Sequence, residues 1–211
     1  MHLRRFDGNP ILTRADMPSG DPRLADPSSV FNPGAVKDGD TYRLLLRVQD
    51  RGRRTRLLPA GGANGMDFTV APRPLELRGA EKLAERAHHF YDPRITLLDG
   101  RFYIMLAVDF DRDCRLGLAV TDDFADCEFL GIVSGKDVRN GVLFPERVDG
   151  RYLRLERPNR IAFPGGGPSG NEIVLSESSD LLAWNAIGTV CAGRPHYWDE
   201  LIGPGPPPVK R

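Results

Sequence analysis

The chain has 211 residues, of which 40% are hydrophobic and 27% charged, so it is long enough and apolar enough to bury one globular core. Its 29 lysine and arginine residues balance 29 aspartate and glutamate residues, and this zero net charge argues against a nucleic-acid or anionic-membrane partner. The three cysteines (Cys114, Cys127 and Cys191) are widely spaced and form no CxxC pair, which argues against a disulfide framework and a metal site.

The N-terminal segment predicts where the protein is found. It reads Met1-His2-Leu3-Arg4-Arg5-Phe6-Asp7 and contains no apolar leader. No later run approaches the apolar length of a membrane span. We therefore expect a cytoplasmic protein with no membrane partner.

Short apolar runs separated by turn residues make up most of the chain. The 18 prolines and 23 glycines punctuate these runs at close intervals. This pattern predicts an all-β protein, with a single helical stretch from about Gly79 to Ala87.

Two patterns recur along the chain. The first is an Asp-Gly turn followed by a strand, at Asp38-Gly39, Asp99-Gly100 and Asp149-Gly150. The second is a polar turn that leads to an aromatic residue, at Phe68, Phe124 and Trp184. Repeats of roughly 40–60 residues with turn and strand signals are typical of a β-propeller, and a β-sandwich with chance similarity is the alternative.

The stretch Phe90-Tyr91-Asp92-Pro93-Arg94 places a carboxylate next to a proline. Pro93 disfavours the helical conformation at the residue before it, so we expect Asp92 to be extended at the start of a strand. Arg94 follows two positions later and is expected on the same side of that strand.

Seven short motifs occur in an order that resembles the β-mannoside phosphorylase family, glycoside hydrolase family 130. The resemblance runs over nearly the whole chain and implies a five-bladed β-propeller with its site at the central funnel. It also implies inverting phosphorolysis of a β-mannoside oligosaccharide to α-mannose 1-phosphate, with inorganic phosphate as co-substrate and no cofactor. The motifs are Asn9-Pro10-Ile11-Leu12, Val30-Phe31-Asn32-Pro33-Gly34-Ala35, Leu44-Leu45-Leu46-Arg47-Val48, Asp92-Pro93-Arg94-Ile95-Thr96, Leu143-Phe144-Pro145-Glu146, Glu156-Arg157-Pro158 and Ile202-Gly203-Pro204-Gly205-Pro206-Pro207.

The resemblance also implies roles for five residues. Asp92 is the general acid and reaches the glycosidic oxygen through a sugar hydroxyl, while Asn32 and Arg47 hold the mannosyl unit. Arg115 and Arg139 bind phosphate, a task that suits the planar fork of arginine. Inverting cleavage by water needs two carboxyl groups, whereas phosphate is already an anionic nucleophile and needs cations instead of the second carboxyl.

Family members continue well beyond the Ile202-Gly203-Pro204 motif. We therefore expect residues 1–211 to form a single propeller domain with about three to four of the five blades, whose open faces favour a homo-oligomer. Two other functions stay open at this point. One is a β-mannoside hydrolase of the same family, and the other is a non-catalytic remnant that binds carbohydrate or protein.

Overall fold

The computed structural model describes residues 4–83, 85–162 and 168–209, so residues 1–3 of the N-terminal segment lie outside it. Within these ranges, β-strands form three sheets and the helices are short 3-10 turns. None of the described helices is long and apolar enough to cross a membrane.

The three sheets follow one another along the chain. Sheet 1 has the order β1 (Pro27–Asp38), β2 (Thr41–Asp50), β3 (Thr55–Gly62) and β4 (Thr69–Val70). Sheet 2 contains β5 (Leu77–Arg78), β6 (Ala87–Leu98), β7 (Arg101–Phe110), β8 (Cys114–Thr121) and β9 (Cys127–Ile132), in the order β5-β9-β8-β7-β6. Sheet 3 has the order β10 (Val138–Leu143), β11 (Tyr152–Pro158), β12 (Glu172–Ser178) and β13 (Asn185–Ala192). Neighbouring strands are antiparallel, except that β5 runs parallel to β9.

The Asp-Gly repeats form the first hairpin of each sheet, as predicted. Asp99 and Gly100 join β6 to β7 with φ values of 51° and 78°, which is the pattern of a type I′ turn. Asp149 and Gly150 have nearly the same values, 49° and 76°, and immediately precede β11. In sheet 1 the glycine Gly39 supplies the positive φ, 56°, between β1 and β2.

The second repeat forms the turn after the third long strand of each sheet. In sheet 2 the Thr121 hydroxyl accepts a hydrogen bond of 2.9 Å from the Phe124 backbone N–H, and in sheet 3 the Ser178 hydroxyl accepts one of 2.9 Å from Leu181. Phe124 and Leu181 also share a left-handed backbone, with φ values of 65° and 67°. The structural counterpart of Phe124 is therefore Leu181, not Trp184 as the sequence suggests, because the hydroxyl fixes the position three residues after it.

Helical structure is limited to three 3-10 turns in the described residues, at Arg14–Asp16, Pro22–Leu24 and Ala80–Leu83. The last lies inside the predicted helical stretch but is shorter than predicted, because Ala87 already begins β6. The all-β prediction is confirmed.

Sheet 2 is buried on both faces, which places it between the other two sheets. One face packs against sheet 1 through Leu45 and Ile104, and the other packs against sheet 3 through Met105 and Leu143. The innermost strands of sheets 1, 2 and 3 are β1, β6 and β10. They are neighbours, since β6 contacts both β1 and β10. Three sheets that follow one another along the chain, with their innermost strands in contact, form a propeller-like arrangement. A β-sandwich would instead have two sheets packed face to face. The number of blades, the single domain over residues 1–211 and the homo-oligomer stay predictions.

Candidate active site

Each innermost strand is interrupted by a bulge that carries a polar residue. Asn32, Asp92 and Asn140 have φ values of 44°, 50° and 55°, a left-handed conformation that Asn and Asp adopt more readily than most residues. A bulge locally ends strand pairing and redirects the side chain. The register shifts fall between Phe31 and Gly34, between Tyr91 and Arg94, and between Arg139 and Val142.

The prediction for the backbone at Asp92 is wrong. Asp92 lies in the middle of β6 and is left-handed rather than extended at the start of a strand. Pro93 does exclude the right-handed helical region at Asp92, but the bulge then selects the left-handed region over the extended one. Arg94 lines the same cavity as Asp92, as predicted.

The three bulges meet at a cavity of about 360 Å³. Four other hollows are larger, at about 640, 600, 590 and 380 Å³, but none of them contains a residue of β10. We place the candidate site in the smaller cavity, because polar groups from all three innermost strands converge there. The residues that line it are Asn32, Pro33, Asp92, Arg94, Arg139, Asn140 and Arg157.

The acid side of the cavity consists of Asp92 and its two hydrogen-bond donors. The Asp92 Oδ1 atom accepts a bond of 3.0 Å from Asn32 Nδ2 and one of 2.8 Å from Arg47 Nη1. The side chains of Arg47 and Asp92 are only 16% and 18% exposed. Among the described residues, no group donates a hydrogen bond to the other oxygen, Oδ2, which leaves it available to a ligand. The structure therefore brings together Asn32, Arg47 and Asp92, while the catalytic and sugar-binding roles that the resemblance implies for them stay predictions.

Arg47 lies between two aromatic rings. Its guanidinium carbon is 4.3 Å from the centroid of Phe31 and 4.5 Å from that of Tyr91. Cations are attracted to ring faces at these distances. The two rings therefore define the plane in which Arg47 meets Asp92.

The cation side of the cavity consists of Arg94, Arg139 and Arg157. Arg94 donates a hydrogen bond of 2.8 Å to the Gly205 carbonyl, and Arg157 donates one of 3.2 Å to the Asn159 side chain. Both acceptors are neutral. In the ranges that the structure describes, neither Arg94 nor Arg157 makes an ion pair, so their positive charge is not compensated by a carboxylate.

Arg139 and Arg157 stand opposite each other on β10 and β11. Burial and then the like charge of Arg139 lower the pKa of the Arg157 guanidinium from its ordinary value. The nearest carboxylate to Arg139 is Asp109, whose Oδ1 is 3.5 Å from Arg139 Nη2. Two adjacent cations that share one carboxylate, in a long ion pair with Arg139 alone, favour an anionic ligand.

Glu156 adds no negative charge to this cavity, although it adjoins Arg157 in sequence. Successive side chains on a strand point to opposite faces, and Glu156 is directed away from the cavity. Its carboxylate accepts a hydrogen bond of 2.8 Å from Ser176 and pairs with the buried Arg154. Among the residues lining the cavity, Asp92 is the single carboxylate.

Arg115 does not line this cavity, although the sequence predicts it beside Arg139. Its guanidinium forms a two-point ion pair with Asp113, at 2.8 and 3.1 Å, and lies 4.9 Å from the centroid of Phe110. The reason is strand alternation: the preceding residue, Cys114, points towards Tyr91, so Arg115 points to the other face of β8.

The sequence analysis assigned no role to three polar residues of the cavity, Arg94, Asn140 and Arg157. Arg157 and Asn140 each carried a signal. Arg157 is the middle residue of the Glu156-Arg157-Pro158 motif, and Asn140 occupies the same bulge position in β10 that Asn32 and Asp92 occupy in their strands.

A glycine from the segment after β13 packs against two residues of the cavity, Asn140 and Arg157. A Cβ atom on Gly203 would lie 2.5 Å from Asn140 Nδ2 and 3.6 Å from Arg157 Nη1. The first distance is too short for any side chain, so only glycine fits without moving Asn140. The carbonyl that Arg94 contacts belongs to Gly205 in the same segment.

The chain is similar to proteins of one known family. A family model described as beta-1,4-mannooligosaccharide phosphorylase, that of glycoside hydrolase family 130, matches residues 2–211. The chain is 27% identical to the beta-1,4-mannooligosaccharide phosphorylase of Ruminococcus albus, over 98% of this chain and 60% of that protein. It is 29% identical to the 1,2-beta-oligomannan phosphorylase of Thermoanaerobacter sp. (strain X514), over 99% of this chain and 68% of that protein. The chain thus spans less than two thirds of the first relative's length and slightly more than two thirds of the second's.

Solved structures show the same fold. The beta-1,2-mannobiose phosphorylase of Listeria innocua superposes with a TM-score of 0.80 at 18% identity, over 100% of this chain and 72% of that one. A second structure has a TM-score of 0.75 at 18% identity, over 97% of this chain and 65% of that one. That structure is of a family of mannoside phosphorylases described as containing glycoside hydrolases that target beta-1,2 mannosidic linkages in Candida mannan.

Proposed function

Since the chain belongs to glycoside hydrolase family 130, the beta-1,4-mannooligosaccharide phosphorylase family, we propose that it is a phosphorylase of β-mannosides. The proposed reaction cleaves the terminal β-mannosidic bond with inorganic phosphate and inverts the anomeric centre. Its products are α-mannose 1-phosphate and the shortened acceptor sugar.

One observation carries this proposal: a single carboxylate, Asp92, shares the cavity with Arg94, Arg139 and Arg157. An inverting hydrolase uses two carboxyl groups about 6.5–9.5 Å apart, one as acid and one to activate water. The described lining offers the first carboxyl and replaces the second with cations. This is the composition expected when the nucleophile is itself an anion.

Asp92 supplies the proton in the proposed reaction. A phosphate oxygen forms a bond to the anomeric carbon while the glycosidic carbon–oxygen bond breaks on the opposite face. The departing oxygen takes a proton from a neighbouring sugar hydroxyl, and this hydroxyl takes one from Asp92, as the family resemblance implies. Asn32 and Arg47 orient the Asp92 carboxyl through Oδ1. In this proposal they also hold the mannosyl unit, as the family resemblance implies.

Arg139 and Arg157 hold the phosphate in this proposal, and Asn140 adds an amide donor. Arg157 takes the position that the sequence assigned to Arg115, because Arg115 is neutralised by Asp113 outside the cavity. Both guanidinium groups can present two parallel donors to phosphate oxygens, which fixes the orientation of the nucleophile as well as its charge.

The substrate is proposed as a β-linked mannooligosaccharide. The curated relatives are named for β-1,4-linked and β-1,2-linked substrates, so both linkages need to be offered. A β-mannoside hydrolase is the second candidate, because a structural neighbour is described in connection with glycoside hydrolases of the same family.

Phosphate dependence tests the proposal. The purified protein is incubated with β-1,4-mannobiose or β-1,2-mannobiose, with and without inorganic phosphate, and the products are followed by phosphorus NMR. The expected result is α-mannose 1-phosphate that forms only when phosphate is present. Release of free mannose at the same rate without phosphate would show a hydrolase, and no turnover of either sugar would support a non-catalytic binding protein.

A further inference from the structure

Tyr91 contacts both sides of the cavity from behind. It is 6% exposed, its ring packs against Arg47, and its hydroxyl donates a hydrogen bond of 2.7 Å to Asp109. We propose that Tyr91 is a positioning residue that sets the acid side with its ring and the cation side with its hydroxyl. This inference rests on the proposed function and assigns the two effects to separate parts of one side chain.

The ring acts on the acid through Arg47. Arg47 donates to Asp92 through Nη1, while its Nε atom is buried and has no hydrogen-bond partner among the described residues. Hydrogen bonds to other protein groups therefore do not fix the guanidinium plane. Packing between Phe31 and Tyr91 does so instead, and it directs Nη1 at Asp92 Oδ1.

The hydroxyl acts on the cation side through Asp109. The same oxygen of Asp109, Oδ1, accepts the Tyr91 hydrogen bond at 2.7 Å and lies 3.5 Å from Arg139 Nη2. The short bond keeps this oxygen with Tyr91, so its ion pair with Arg139 stays long, at 3.5 Å. Asp109 therefore compensates the Arg139 charge only from a distance, and Arg139 remains able to bind an anion.

The groups around the hydroxyl keep it in the donor role. Burial raises the pKa of the Tyr91 hydroxyl above its ordinary value, so the group remains protonated at neutral pH. The Cys114 sulfur lies 3.8 Å away, and burial raises the pKa of this thiol to about 11. The protonated hydroxyl has one hydrogen to donate, and among the described residues the carboxylate that accepts it is Asp109.

Two substitutions separate the ring from the hydroxyl. Tyr91→Phe keeps the ring, and we expect the KM for phosphate to rise about tenfold with kcat within about twofold, because Asp109 becomes free to pair with Arg139. Tyr91→Leu also removes the stacking surface, and we expect an additional fall in kcat of about 10²-fold from misplacement of Arg47 and Asp92. Tyr91→Phe should therefore keep the kcat that Tyr91→Leu loses, while both substitutions raise the KM for phosphate.

Tyr152 provides a matched control. It is 9% exposed in sheet 3, and Arg147 both stacks on its ring at 4.3 Å and contacts its hydroxyl, but neither residue lines the cavity. Tyr152→Phe and Tyr152→Leu should lower thermal stability about as much as the corresponding substitutions of Tyr91. They should leave the ratio of kcat to KM for phosphate unchanged. Equal kinetic changes at both tyrosines would reduce Tyr91 to a structural residue and overturn the proposal.

A structural measurement keeps the inference testable if phosphorolysis itself is not found. In a crystal structure of Tyr91→Leu, we expect Arg47 to leave hydrogen-bond distance of Asp92. In Tyr91→Phe we expect Asp109 to move into hydrogen-bond distance of Arg139. If Arg47 keeps its contact with Asp92, or Asp109 its distance from Arg139, the positioning role is refuted. A wild-type protein without phosphate-dependent turnover would instead refute the proposed function alone.

Discussion

The two sides of the cavity differ in how their charges are compensated. On the acid side, Asp92 already has a cationic partner, Arg47, and an amide donor, Asn32. On the cation side, Arg94 and Arg157 contact only neutral acceptors, and Arg139 has one carboxylate at 3.5 Å. The protein therefore completes the acid side by itself and leaves the cation side for an anionic ligand to complete.

This difference has an energetic basis. Two unit charges 4 Å apart interact by about 4 kcal/mol at an effective dielectric constant of 20. Arg139 and Arg157 repel each other in the free protein, where Asp109 compensates only Arg139 and only at 3.5 Å. An anion that contacts both guanidinium groups adds an attraction to each of them and so outweighs this repulsion. Substitutions on the two sides should accordingly change different kinetic constants.

The largest expected effect follows from removing the acid. Asp92→Asn keeps an oxygen that accepts from Arg47 and Asn32 but removes the proton, so kcat should fall by about 10²–10⁴-fold. The melting temperature should change little. Asp122→Asn, which removes a carboxylate paired with Arg101 on the exposed surface, should leave kcat unchanged and serves as the control. Near-full activity of Asp92→Asn would remove Asp92 from the acid role.

A smaller effect is expected on the cation side. Arg139→Gln or Arg157→Gln should raise the Kd for phosphate, measured by calorimetry, by about 10–100-fold, because each removes charge-assisted hydrogen bonds of about 1.5–3 kcal/mol. Arg115→Gln should leave the Kd within about twofold. If Arg115→Gln weakens phosphate binding as much as the other two substitutions, the assignment made from the sequence is correct and the one based on the cavity is wrong.

Packing of Gly203 against Asn140 gives a third test. Gly203→Ala places a Cβ atom 2.5 Å from Asn140 Nδ2, so the Asn140 side chain must move. We expect a loss of about 1–3 kcal/mol in the free energy of unfolding and a raised KM for phosphate. Gly188→Ala is the control, because a Cβ atom there meets nothing within 4 Å. Equal behaviour of the two variants would show that Gly203 is not a constraint on the cation side.

The smallest expected effect is loss of the amide donor on the acid side. Asn32→Ala leaves Arg47 in contact with Asp92 and removes only the bond of 3.0 Å, worth about 1 kcal/mol. We expect a fall in kcat of about fivefold, measured at saturating phosphate. An unchanged kcat with a raised KM for the mannoside would instead assign Asn32 to sugar binding alone.

The sequence predicted more of the acid side than of the cation side, and the reason lies in the nature of each signal. Asn32, Arg47 and Asp92 belong to short motifs, and their hydrogen bonds confirm that they converge. The left-handed bulges at Asn32 and Asp92 were missed, because the prolines that follow them exclude one backbone region without choosing between the two that remain.

The cation side depends on strand parity, which short motifs do not fix. A shift of one residue along a strand moves a side chain to the opposite face. Cys114 and Arg115 are adjacent, and only the register of β8 with β7 decides that the thiol, not the guanidinium, turns towards Tyr91. Arg157 stands opposite Arg139 for the same reason, through the pairing of β10 with β11.

A crystal structure of the protein with inorganic phosphate tests most directly whether the cavity has an acid side and an anion-binding side. We predict phosphate in the 360 Å³ cavity. Its oxygens should lie about 2.7–2.9 Å from the guanidinium nitrogens of both Arg139 and Arg157, the usual length of a charge-assisted hydrogen bond. The carboxylate of Asp92 should keep its contacts with Arg47 and Asn32. A cavity without phosphate at concentrations that saturate binding, or phosphate bound at Arg115 instead, would contradict the division of the site into an acid side and an anion-binding side.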